Sequence, residues 1–319
     1  NRLKKNCREA APPTCRHLTS PSHLPSSIRN IVTIAAPAKV NLYLHVTGKK
    51  EDGYHEIDTV VVFTALHDLV SVIPHHTLNL EQEGPFSSYL SEKREINLVH
   101  RAAKALAELV GIPSKASITL HKAIPVAAGL GGGSADAAAT LRALCQLWKV
   151  EPDKDKLAAL ALSLGADVPV CLMGVNSHVR GIGEIVKPLP NFPNRMDMVL
   201  VNPNILLPTK SVFEAFQGPY KAPETIPPLT TTNPKSVTTA LGRFSNDLTK
   251  PARTLCPVIE EILCILSESE GCYLARLSGS GPSCFGLFDD PRTAAISASR
   301  ISRIKTDWWV EATHSIGSP

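Results

Sequence analysis

No stretch of the 319-residue chain holds the run of ~18–20 apolar residues that a membrane-spanning helix needs, because charges, Gly or Pro interrupt every candidate. A C-x-x-C pair and a Cys/His cluster at zinc spacing are also missing. The eight cysteines, Cys7, Cys15, Cys145, Cys171, Cys256, Cys264, Cys272 and Cys284, are scattered, so they read as reduced thiols of a cytosolic protein rather than as a disulfide framework. Aromatic residues are few, at 5%, and no basic stripe carries them interleaved; with a net charge of only +4, a nucleic-acid surface is not expected. What remains is ordinary globular composition, 43% hydrophobic and 19% charged, over a length that suits two packed halves better than one.

Residues 1–30 carry six Lys or Arg, one acidic residue (Glu9), several Ser and Pro, and no apolar periodicity, which reads as a disordered basic tail. The expected location is the bacterial cytosol, with a plastid as the alternative if that tail is the remnant of a transit peptide. Regular structure begins at Ile31. From Asn41 to Val46 the residues Leu42, Leu44 and Val46 alternate with Asn41, Tyr43 and His45, the period of a half-buried strand, so Lys39 and Asn41 share a face. Helical spacing predicts helices over 97–110, 136–149 and 155–164. Pro188, Pro190 and Pro193 mark a boundary, giving a first domain over 31–192 and a second over 193–319. In the second, helices near 255–268 and 291–304 alternate with strands near 272–277, 283–288 and 307–312, and the Pro-rich stretch 218–236 reads as a surface loop. The fold class is α+β.

The most informative segment is Pro125-Val126-Ala127-Ala128-Gly129-Leu130-Gly131-Gly132-Gly133-Ser134-Ala135, which runs into an Ala-rich helix. Four glycines in five residues let backbone N–H groups approach an anion without Cβ obstruction, and a helix N-terminus adds free donors and a positive dipole end. It is neither a Walker A loop, since no Gly-Lys-Ser/Thr follows, nor G-x-G-x-x-G, since Ser134 stands where the last glycine belongs. Asp167, at a Gly-Ala-Asp-x-Pro junction, reads either as a cap for the next helix or as a fixed carboxylate able to take a proton. Lys39, on an otherwise apolar strand, needs a counter-charge, and Asp167 would supply one.

The Gly-rich stretch resembles the second motif of the GHMP kinases, the family of galactokinase, homoserine kinase and mevalonate kinase. Pro37-Ala38-Lys39-Val40-Asn41-Leu42 resembles the first motif and Leu277-Ser278-Gly279-Ser280-Gly281-Pro282-Ser283-Cys284 the third, in the family's order. Gly48–Glu56, Leu164–Val170 and Gly181–Ile185, with Phe244-Ser245-Asn246-Asp247 as a weaker fourth stretch, narrow the resemblance to members whose substrate is a cytidine diphosphate-linked methylerythritol.

The resemblance implies a two-domain fold, with an N-terminal domain like a ribosomal protein and a ferredoxin-like C-terminal domain. It also implies phosphoryl transfer from ATP with Mg²⁺ to a hydroxyl of that small molecule, by a monomer or weak homodimer. It implies Lys39 and Asp167 as catalytic residues, 125–135 as the ATP-binding loop, and Asn41, Tyr54, His55 and Phe213 as substrate contacts, with Tyr54 and His55 at the cytidine end. For Phe213 the alternative of packing within a helix over 211–216 stays open. Asn97, Leu98 and Lys122 fall where the family meets adenosine, and Glu184 is a candidate Mg²⁺ contact without an assigned role; the metal ligands are unknown. Ala135 departs from the family's frequent second serine, which leaves Ser134 to make that contact. Rival readings are a GHMP kinase for another alcohol and a non-catalytic nucleotide-binding module.

Overall fold

The computed structural model describes residues 30–90, 97–193, 195–223, 236, 239–240 and 242–317, so the basic tail and most of the Pro-rich 218–236 stretch lie outside the described residues. Two long strands rich in Val, Ile, Thr and Phe, β1 (Val32–Lys49) and β2 (His55–Ile73), pair antiparallel. Their register shifts between Pro37 and Lys39, where proline has no N–H to give the ladder, and between Asn41 and Tyr43. β3 (Leu78–Glu83) runs parallel to β4 (Ala116–His121), and helix α1 (Leu98–Val110) makes the crossover that parallel strands require. Asn97 caps α1 by accepting the Val99 N–H, and Gly111 at φ +70° closes it.

Helix α2 (Gly132–Trp148) packs on α1 and on the β1–β2 ribbon through Ala135, Ala137, Ala138 and Leu141, small residues that permit close approach. α3 (Lys154–Leu164) and α4 (Val168–Met173) follow, then β5 (Ser177–Gly181), which extends the sheet from β2, and β6 (Ile185–Pro188). The C-terminal half holds β7 (Asp197–Asn202), α5 (Thr209–Glu214), α6 (Thr249–Leu255), α7 (Val258–Ser267), β8 (Cys272–Leu277), β9 (Cys284–Phe288), α8 (Pro291–Ile304) and β10 (Trp309–Ile316). β10 pairs with β7 over most of its length and then with β2 at Ser315 and Ile316, so the two halves share one ten-stranded sheet.

Three apolar clusters fill the molecule. One lies under α1 and α2, a second under α6 to α8, and a third joins Val40, Leu42 and Val62 of the first half to Met198, Leu200 and Phe285 of the second. That shared core corrects the half-buried reading of β1: Asn41, Leu42, Tyr43, Leu44, His45 and Val46 are all buried, because both faces of the strand are covered. Two helix boundaries also differ. α2 begins at Gly132 rather than at 136, since the last glycines of the loop already take helical angles, and the expected helix over 255–268 is broken at Pro257, which lacks an N–H.

Candidate active site

Lys39 leaves β1 within a buried environment and donates to Asn41 Oδ1 at 2.6 Å, while its Nζ lies 3.2 Å from Asp167 Oδ2. Asn41 is itself held by donating to Thr59 Oγ1 at 3.0 Å, so the lysine is oriented by a side chain that cannot rotate freely. Asp167 stands at the start of α4 without making a capping bond, and its side chain is 40% exposed, half open to whatever fills the cleft. Its neighbour Cys171 is buried, and burial, reinforced by the Asp167 charge, pushes its thiol far up, so it supplies no thiolate.

The Gly-rich loop wraps the other side of Lys39. The Lys39 N–H donates to Leu130 O at 2.9 Å, and a Cβ built on Gly131 would stand 2.6 Å from Lys39 Cγ at a backbone φ of +65°. Gly131→Ala therefore meets both a clash and a strained backbone and should cost about 1–3 kcal/mol of stability, read by urea denaturation. The Ala135 N–H closes the first turn of α2 on Gly131 O at 2.9 Å, which leaves the N–H groups of Gly132, Gly133 and Ser134 as the helix's first-turn donors, directly after the Gly131 that packs on Lys39.

The third glycine loop, 278–281, closes against this one: Ser278 Oγ donates to Gly129 O at 3.2 Å and the Ser283 N–H to Ala128 O at 3.2 Å. Thr209, at the start of α5, meets Ser280 with its hydroxyl at 2.9 Å. The Gly181–Glu184 turn packs against the segment bearing Asp167, since a Cβ on Gly183 would stand 2.2 Å from Ala166 O. Glu184 accepts the Ile182 N–H at 2.5 Å and pairs with Lys50 at 3.3 Å; these hydrogen bonds outweigh burial and hold its carboxyl below the ordinary value. Both of its carboxylate oxygens are thus engaged by the protein.

Behind the loop lies a buried triad that the sequence does not disclose. Lys122 pairs with Asp68 and, at 2.8 Å, with Asp136, all three almost wholly buried. Asp68 also accepts the Ala123 and Ile124 N–H groups at 2.6 and 2.8 Å. The Lys122 side chain is therefore an internal cation supporting the loop, while Asn97 caps α1 through its Oδ1. Burial pushes the Asp136 carboxyl up to about 8, against the pull of Lys122 and with the push of Asp68.

This Asp136 shift sets a pH dependence. The folded chain holds a proton that the unfolded chain releases above the ordinary value of 3.8, so this group's contribution to stability is lost as pH rises from there to about 8. Asp136→Asn should flatten the fall of the urea midpoint between roughly pH 4 and 8, measured by denaturation at stepped pH.

At the far end of the ribbon, His55 stacks on Phe213, with ring centroids 5.2 Å apart and planes at 25°, while Phe216 meets the His55 ring edge-on. Phe213 is partly buried and also packs against the C-terminal core. Tyr54 is 58% exposed on the turn beside them. Burial, then the Lys49 charge, lowers the His55 pKa and favours its neutral form near pH 7. The structure thus brings Lys39, Asn41 and Asp167 together with the 125–135 loop, and His55 with Phe213. Thr209 and the pairing of Lys122 with Asp68 and Asp136 escaped the sequence reading, the latter because a pair 54 residues apart leaves no local signal.

Comparison with known proteins agrees with this arrangement. Residues 97–175 match the model of the GHMP kinases N terminal domain and residues 229–304 that of GHMP kinases C terminal. The chain is 45% identical over 280 residues, 87% of its length and 96% of the relative's, to a 4-diphosphocytidyl-2-C-methyl-D-erythritol kinase of Paramagnetospirillum magneticum. It is also 45% identical to the same enzyme of Rhodospirillum rubrum, over 89% of this chain and 92% of the relative. A crystal structure of 4-(cytidine 5'-diphospho)-2C-methyl-D-erythritol kinase superposes with a TM-score of 0.73 at 34% identity, covering 90% of this chain and all of that one. Homoserine kinase from Cytophaga hutchinsonii, at 19% identity and a TM-score of 0.67, shares the fold. The chain belongs to the GHMP kinases, within the family of 4-diphosphocytidyl-2-C-methyl-D-erythritol kinases.

Proposed function

We propose that this site transfers the γ-phosphoryl group of ATP to the 2-hydroxyl of 4-(cytidine 5'-diphospho)-2-C-methyl-D-erythritol, a step of the methylerythritol phosphate route to isoprenoid precursors. The observation that carries the reading is the Lys39–Asp167 pair, 3.2 Å apart, with Lys39 packed against Gly131 at the start of α2. Phosphoryl transfer to an alcohol needs alignment, charge stabilisation and a proton acceptor, and little else. In this account the 125–135 loop cradles the ATP phosphates and Asp167 takes the proton from the acceptor hydroxyl. Lys39, fixed by Asn41, orients the carboxylate and offers its ammonium to the charge that builds on the transferring group. The two domains implied by the sequence, 31–192 and 193–319, bring these pieces together across the shared core.

Mg²⁺ fits the residues present. The described residues hold no group of three or more acidic, His or Cys side chains for a protein-only cage, and Mg²⁺ prefers one or two protein oxygens with water and substrate phosphates. The Ser134 hydroxyl, in the first turn of α2, is such an oxygen. The ion, when bound with ATP, supplies neutralisation of the phosphate charge.

The His55–Phe213 stack and exposed Tyr54 suit a cytosine ring, which an aromatic surface binds by stacking. Phe213→Ala should raise the substrate KM on the order of 10-fold with kcat little changed, as expected for loss of binding remote from the chemistry. Because the His55 pKa is lowered, the neutral ring is the binding form, and the substrate KM should stay flat above neutral pH and rise in acid below it. ³¹P NMR of the product tests the proposal itself: a new phosphomonoester resonance beside an intact diphosphate supports it, and a cleaved diphosphate refutes it.

A further inference from the structure

The Phe244-Ser245-Asn246-Asp247 segment is not used by the account above, yet it touches both halves of the site. Its backbone lies beside β1: the Leu44 N–H donates to Ser245 O at 3.1 Å, and the Asp247 N–H returns a bond to Leu44 O at 2.8 Å. The Asp247 carboxylate then accepts the Val46 N–H at 3.0 Å and pairs with Lys221 at 2.6 Å. The segment is therefore tied to the strand that carries Lys39 and Asn41.

From that fixed base the Asn246 side chain, 5% exposed, spends all its donors on the third glycine loop. Its Nδ2 donates to Leu277 O at 2.9 Å and to Gly279 O at 2.8 Å, while its Oδ1 accepts the Leu248 N–H at 2.9 Å. An amide is the side chain that can do this, since a carboxylate of the same shape has no N–H to give two carbonyls. The carbonyls it holds flank Ser278, whose hydroxyl bridges the Asn41 N–H at 3.3 Å and Gly129 O at 3.2 Å. Gly279 itself turns against the catalytic cluster: a Cβ on it would stand 3.1 Å from Asn41 Oδ1 and 3.5 Å from Lys39 Nζ.

We propose that Asn246 is a positioning residue for phosphoryl transfer. It fixes the 277–281 loop against Lys39 and the phosphate loop, so that both donor surfaces keep one spacing relative to strand β1. It acts through the loop and touches neither substrate. The kinetic part of this inference rests on the kinase reading, and the structural part does not. Loss of the two bonds frees the loop to shift, and a displacement of about 1 Å at a site of this kind costs on the order of 100-fold in rate.

The test compares Asn246→Asp with the wild-type protein in two measurements. In steady-state kinetics kcat should fall on the order of 100-fold with both KM values changed less than roughly 3-fold, the mark of an alignment defect rather than lost binding. In native-state hydrogen exchange the Ser278 and Gly281 amides, bonded in the wild type to Ser283 O and Ser278 O at 2.9 Å each, should lose protection, while amides of β4 keep theirs. Unchanged kcat, or a change confined to KM, overturns the positioning role, and so does unchanged exchange at Ser278 and Gly281. If the wild type does not turn over the cytidylyl substrate, the kinase reading fails by itself, and the exchange result alone decides whether Asn246 holds the loop. Should Asn246→Asp not fold, Asn246→Ala removes the donors without adding a charge, and the same outcomes apply.

Discussion

Asp167→Asn lowers kcat by about 10²–10⁴-fold, the range that a positioned general base supplies, while ATP affinity stays near the wild-type value. The reasoning is local. Asparagine keeps the shape at the start of α4 and removes the negative charge that sits 3.2 Å from Lys39 and the lone pair that would receive the hydroxyl proton. The free N–H groups of α2 and the Gly131 turn are untouched, so the nucleotide loses no direct contact in this account. Rapid-quench kinetics measure the chemical step and calorimetric titration measures ATP affinity. Turnover preserved within a few-fold would remove Asp167 from the role of base.

Lys122→Met is expected to destabilise the fold more than any other single change considered for this chain. It leaves Asp68 and Asp136 facing each other without their shared cation, both at the floor of the phosphate loop. Breaking a buried ion pair from one side costs ~3–5 kcal/mol, and for a protein of this size each kcal/mol moves Tm by ~2–4 °C. A drop on the order of 10 °C in a calorimetric scan is the expected result. Asp68 keeps its bonds from the Ala123 and Ile124 N–H groups, whereas Asp136 loses Lys122 as the partner of its carboxyl. The double change with Asp136→Leu should recover part of the loss, because it removes the stranded buried carboxyl as well. A Cβ on Gly132 would lie only 2.9 Å from Lys122 Nζ, so the single variant should also weaken ATP binding.

How much of this was legible in the residues depends on range. The three glycine-bearing motifs and the helices α1 and α3 were readable, since capping, periodicity and loop chemistry act over a few residues. The alternation in Asn41–Val46 gave the strand but misjudged its exposure, because the second layer covering it comes from Met198, Leu200 and Phe285, far along the chain. Continuity of the sheet through Ser315↔Thr64 has no local signature either. At the site, Lys39 was expected to seek Asp167 because a lone charge on an apolar strand needs a partner, and the two are in contact. By contrast, nothing near Lys122 announces Asp68 as its partner, and an asparagine between a serine and an aspartate looks like an ordinary turn until its two carbonyl partners are in view.

The central claim is that Lys39, Asp167 and the 125–135 loop form a phosphoryl-transfer site serving a cytidylyl-linked alcohol. The most direct measurement is ADP release with Mg-ATP, comparing 4-(cytidine 5'-diphospho)-2-C-methyl-D-erythritol with homoserine, mevalonate and galactose under the same conditions. The account predicts rapid turnover with the cytidylyl substrate and background rates with the other three. Turnover of one of the others in its place would contradict the roles given to Tyr54, His55 and Phe213, and no ADP with any of them would contradict the catalytic assignment itself.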